Sequence, residues 1–142
     1  MTVDPGNRAA VAEFVRSQGL AVVATSDDRG WPEAALVGVA ALEDGLLIFD
    51  SLVRSRKVNN LRFNSGVAVV AGFTGGVSLQ LEGTATICSG EDRVKYGAEY
   101  NSQLPGSRAL DEEFAVITIE VSWVRVYDAT VKPALVRERA WE

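Results

Sequence analysis

The stretch Ser51-Leu52-Val53-Arg54-Ser55-Arg56-Lys57-Val58-Asn59-Asn60-Leu61-Arg62-Phe63-Asn64 decides how this chain is read. It interrupts a run of apolar, strand-like segments, three before it and three after. Ser55 is a candidate N-cap, and Val58, Leu61 and Phe63 recur at a spacing that lets a short helix face a core. Arg56 and Lys57 fall in the first turn of that helix. Cations there oppose the helix macrodipole by a few tenths to about 1 kcal/mol. A bound anion would remove the conflict. Arginine offers a planar fork for phosphate oxygens, lysine a point charge, and Ser55 with the free helical N–H groups completes a cradle. Arg54 adds a third cation. The same residues also read as a solvated basic turn, and spacing alone leaves both readings open.

Upstream, Leu20 to Thr25, Ala34 to Leu42 and Leu46 to Asp50 are short apolar runs. The turn-forming groups Ser26-Asp27-Asp28-Arg29-Gly30 and Glu43-Asp44-Gly45 separate them. Downstream, Gly66 to Gly72 and Val77 to Ile87 flank Gly75-Gly76, a hairpin signal, and Phe114 to Tyr127 is the last long strand. The three upstream runs are nearly continuously apolar, which predicts coverage on both faces, by a barrel interior on one side and a subunit interface on the other, whereas Val77 to Ile87 and Phe114 to Tyr127 alternate. A first helix is predicted from Asp4 as N-cap and Pro5 at the first helical position to a stop at Gly19. A third runs over Ser89 to Asn101 and ends at Leu104-Pro105-Gly106. The tail contains Pro133 and the charged run Arg137-Glu138-Arg139. Six strands with few helices predict a mainly β protein with peripheral helices, built as a six-stranded antiparallel split barrel. Residues 1–142 are read as a single domain.

Composition excludes much chemistry. The chain of 142 residues contains no histidine, so histidine-based triads, histidine-liganded zinc and proximal-histidine haem are ruled out. Fourteen basic against 19 acidic residues give a net charge of −5, a poor match for nucleic acid or anionic lipid. No apolar run approaches the roughly 20 residues of a membrane helix. A single cysteine, Cys88, and an N-terminus without a secretory pattern predict a cytoplasmic protein. No glycine-rich phosphate loop is present, which disfavours the Rossmann and P-loop readings.

Taken in order, Gly30-x-Pro32, the strand through Val37, Phe49-Asp50-Ser51, Ser55-Arg56-Lys57-Val58-x-Asn60-Leu61, Val67-Ala68-Val69 and Leu81-Glu82-Gly83-Thr84-Ala85 resemble one known family. It is the FMN-binding split barrel family related to pyridoxamine 5′-phosphate oxidase, and the resemblance runs from about Phe14 to Tyr127. It implies a homodimer with a flavin in each of two interface clefts. Arg56 and Lys57 would bind the FMN phosphate, with Ser55 and Ser51 as hydroxyl donors. Ala35, Leu36, Val37 and Gly38 would contact the ring mostly through backbone, Phe49, Asp50 and Ser51 would touch the cofactor, and Gln80 would reach it from the neighbouring subunit. Ser78 is the alternative to Gln80. The resemblance implies an oxidoreductase acting on a small-molecule substrate or on an electron donor such as NAD(P)H. Its branches also include non-catalytic flavin, deazaflavin and haem binding or sensor proteins. The family's histidine-containing C-terminal substrate motif is absent, so oxidation of vitamin B6 is not expected. Trp141 is a candidate to fold over the partner's flavin, the alternative being a disordered tail. Trp31, Trp123, Tyr96 and Tyr100 are read as rim, interface or packing residues, with a role in the cleft as the alternative for Trp31 and the tyrosines.

Overall fold

The computed structural model describes residues 2–142. Helix α1 (Arg8–Gln18) leads into strands β1 (Leu20–Ser26), β2 (Pro32–Gly38), β3 (Ala40–Ala41) and β4 (Leu47–Leu52). Helix α2 (Arg56–Phe63) precedes β5 (Gly66–Ala71) and β6 (Val77–Ile87). Helix α3 (Gly90–Gln103) precedes β7 (Phe114–Asp128) and β8 (Leu135–Ala140). All strand pairings are antiparallel, in the order β2-β1-β5-β6-β7-β4-β3, with β8 added to β7. The sheet curls until β2 approaches β4, yet the two do not pair. That unpaired seam is the split of the barrel. The predicted class holds, and its six strands are β1, β2, β4, β5, β6 and β7. The short β3 and the tail strand β8 are additions to it.

Alternation fills the interior. Ala21, Val23 and Thr25 of β1 point inward, as do Val67, Val69 and Ala71 of β5 and Leu79 and Leu81 of β6. In β7, Ala115 to Ile119 is buried on both faces, because α3 covers its outside. The Gln103 side chain of α3 donates to the Ala41 carbonyl at 2.9 Å and accepts from its N–H at 3.0 Å, standing in for a missing strand beside β3. A register shift between Glu82 and Gly83 bends β6 around the barrel. A Cβ on Gly83 would collide with the Glu120 carbonyl, so only glycine allows this approach.

Several boundaries depart from expectation. Asn7, not Asp4, caps α1, its side chain accepting from Ala10 N–H at 3.0 Å, so Pro5 precedes the helix. Asp4 instead closes the turn before it, accepting from Gly6 N–H at 2.9 Å. The second strand stops at Gly38 because the Val39 N–H turns away to the Gly19 carbonyl, at 3.0 Å. Trp141 does not lie in a loose tail. It is buried against Gly45, its indole N–H donates to the Pro5 carbonyl at 2.7 Å, and the Arg8 guanidinium stacks 4.5 Å from its ring centroid. No helix among the described residues is long and apolar enough to cross a membrane.

Candidate functional site

The basic stretch sits where β4 hands over to α2, beside the start of β2. Ser55 caps α2, its hydroxyl accepting from Val58 N–H at 3.2 Å, and lies 2.9 Å from the buried Ser51 hydroxyl. No acidic residue occupies the first turn of α2, where Ser55 takes the Val58 N–H and the turn itself supplies only the cations Arg56 and Lys57. A cleft of about 490 Å³ opens here. Arg54, Ser55, Arg56 and Arg62 line it on one side, and Asp27, Asp28, Trp31 and Glu33 on the other.

Beneath the cleft lies a polar network that the sequence reading missed. Asn60 is 3% exposed, although it stands on the buried arc of α2 next to Val58 and Leu61. Its amide donates to Thr25 Oγ1 at 3.0 Å and to Glu33 Oε1 at 2.8 Å. Arg56 Nη1 reaches Glu33 Oε2 at 3.2 Å. The Asn60 hydrogen bond, followed by that from Arg56, holds the Glu33 carboxyl below its usual range. A polar residue among the apolar positions of a short helix was the available signal, since a buried amide must find partners. Thr25, at an inward position of β1, supplied the other half of it.

At the rim, Asp27 accepts from the N–H groups of Arg29 and Trp31, each at 2.9 Å, and these bonds lower its pKa. Trp31 projects outward and is 72% exposed.

The other end of the seam is built differently. The Tyr100 hydroxyl of α3 packs against Gly38, where an added Cβ would lie 2.6 Å from it. Asp50 on β4 lies near the same hydroxyl. Burial pushes the Asp50 carboxyl upward, and the nearby Tyr100 hydroxyl partly offsets this. Burial and the Asp50 charge likewise raise Tyr100.

The structure therefore brings Ser51, Ser55, Arg56 and Lys57 together at one end of the seam. Ala35, Leu36, Val37 and Gly38 form the edge strand on one side of it, and Phe49, Asp50 and Ser51 belong to β4 across it. The Phe49 side chain is fully buried, so any contact it makes with a ligand is through its backbone. Gln80 is elsewhere. Its side chain is exposed on the outer face of β6, between Val70 and Arg125 in register. Three strand spacings, about 14 Å, separate it from β2. Ser78 shares that face.

The donor set suits a phosphate: three cations, two hydroxyls and a helix N-terminus at the mouth of an open seam. The fold and this helix start define a small antiparallel split-barrel protein with a candidate anion site. Residues 8–128 match the family model of pyridoxamine 5′-phosphate oxidase, and the chain belongs to that family. Its fold is similar to that of a pyridoxamine 5′-phosphate oxidase-related, FMN-binding protein from Nostoc punctiforme. The two are 16% identical over 94% of each chain, with a TM-score of 0.65. It is also similar to a haem-binding protein from Mycobacterium smegmatis, at 18% identity and a TM-score of 0.76 over 97% of this chain and 59% of that one. The haem storage protein HutZ from Vibrio cholerae is 14% identical over 85% of this chain and 91% of that one, with a TM-score of 0.68. No curated protein sequence matches the chain.

Proposed function

We propose that this protein binds FMN non-covalently along the β2–β4 seam and uses it as an oxidoreductase, with a small-molecule substrate or NAD(P)H as electron donor. The observation that carries the reading is the cationic start of α2 at the mouth of that seam. Arg56, Lys57, Ser55 and Ser51 would hold the phosphate. The backbone of Ala35 to Gly38, on an edge strand with one unpaired side, would hydrogen-bond the ring. FMN, when bound, supplies hydride and electron transfer, so no dedicated catalytic side chain is required.

The reading includes a homodimer. Leu36, Val22 and Val70 stand in register across β2, β1 and β5, with Ala34, Ala24 and Ala68 in the next row. Leu36 is 61% exposed. Packing this face against a second copy would bury it and would carry Gln80 to the partner's seam.

A second reading is binding without turnover, of haem, flavin or deazaflavin. The haem-binding and haem-storing proteins among the similar folds favour keeping it. Haem here would need an axial ligand other than histidine.

The test is an absorption spectrum after loading with FMN and desalting, followed by NAD(P)H turnover with several acceptors. Retained bands near roughly 370 and 450 nm, as expected of bound oxidised flavin, support the first reading. Complete loss of FMN with retention of added haem supports the second.

A further inference from the structure

Three carboxylates, Asp27, Asp28 and Glu33, share the cleft with its cations, and Glu33 is the one in contact with Arg56. Glu33 lies among the cations that would meet a phosphate, and its attachment is lopsided. Asn60, buried and fully used by Thr25 and Glu33, holds one carboxylate oxygen from below at 2.8 Å. The other oxygen takes a single contact from Arg56 at 3.2 Å. The Arg56 side chain is 87% exposed, against 29% for Glu33. The carboxylate is anchored and the guanidinium is not.

We propose that Glu33 sets the phosphate affinity of the cradle: a fixed internal carboxylate that occupies Arg56 until an external phosphate displaces it. The proposal rests on the phosphate-cradle reading above. Arg56 can swing to a ligand at little cost, because it gives up one exposed, monodentate contact. Glu33 cannot follow, because Asn60 holds it. An incoming dianion therefore faces a stationary like charge. Only a ligand that also engages Lys57, the hydroxyls of Ser51 and Ser55 and the α2 N–H groups overcomes it. Because the repulsion scales with ligand charge, Glu33 weakens binding of a phosphate dianion about twice as much as that of a monoanion and leaves an uncharged ligand unaffected.

The experiment is a fluorescence titration of the intact protein with FMN and, separately, with riboflavin, which carries the ring without the phosphate. Glu33→Gln keeps the acceptor for Asn60 and removes the charge. Glu33→Ala serves as a second variant. FMN should bind about tenfold more tightly to Glu33→Gln, the order expected when one like charge roughly 6 Å from a dianion is removed in a solvated site. Riboflavin affinity should stay unchanged. Unchanged or weaker FMN binding in both variants would overturn the proposal and make Glu33 a positioning residue for Arg56. An equal gain for riboflavin would overturn it too, since the effect would not be on the phosphate. If wild type and variants all fail to bind FMN, the flavin reading falls, and inorganic phosphate then decides the role of Glu33. A larger rise in melting temperature for Glu33→Gln than for wild type, in tens of millimolar phosphate, supports it; equal rises overturn it.

Discussion

Two arginines in separate regions of the molecule show how one side-chain type serves different ends. Arg8 stacks on Trp141 and donates to the Glu142 carbonyl at 2.7 Å, while the Trp141 backbone N–H bonds the Ser122 carbonyl at 2.8 Å. That region fastens the tail to α1 and to the β3–β4 turn. Its polar groups find partners within the chain. Arg56 has one monodentate contact and otherwise faces water. A cation held by stacking and hydrogen bonds is part of the packing. A cation left at the start of a helix, where the macrodipole disfavours it, is placed to meet something from outside.

The comparison can be broken most sharply at Trp141. Trp141→Ala should cost about 3–5 kcal/mol in denaturant unfolding, as for other buried tryptophans, because the indole fills the space over Gly45. Flavin affinity of the folded fraction should not change, since Trp141 is held by Pro5, Arg8 and Gly45 and touches none of the cradle residues of its own chain. A large loss of flavin affinity at full stability would reverse the assignment of the two regions.

Next in size is Asn60→Ala. It leaves Thr25 and Glu33 without their donor beneath the cleft, and a loss of about 1–3 kcal/mol is expected in the same assay. A neutral result would show that water replaces the amide and that the network does not anchor Glu33.

The smallest effect concerns acid. The Glu33 carboxyl lies below its unfolded value of 4.5 in the folded protein, chiefly through Asn60 and then Arg56. Its contribution to stability is thus complete above that value and is lost as pH falls through the lowered folded one. The stability difference between wild type and Glu33→Gln should shrink as pH drops below about 4.5, measured by unfolding at a series of pH values. A difference that widens would mean that Glu33 is not held as its contacts imply.

Most of the barrel was legible because inward and outward residues alternate and the turns are marked. Gly75 and Gly76 both take positive φ in the hairpin that they announce. The Ser55 cap was legible for the same local reason. What escaped depended on partners distant in sequence. Strand β8 reads as a charged tail because five of its six residues are exposed, and only pairing with β7 makes it a strand. Trp141 could not be placed without Pro5 and Arg8, which lie more than 130 positions earlier. The basic half of the cleft shows in sequence as Ser55-Arg56-Lys57. The contact of Glu33 with that half does not, because Glu33 is a lone acid in a strand. Only the fold carries it to Asn60.

The central claim is that the start of α2 binds the phosphate of a flavin. The most direct measurement is FMN retention after desalting by the double variant Arg56→Ala, Lys57→Ala beside wild type, with sedimentation to follow the oligomer. Wild type should retain about one FMN per chain. The variant should lose at least a hundredfold in affinity, at one to two charge-assisted hydrogen bonds, while keeping its fold and assembly. Stoichiometric FMN on the double variant would contradict the account.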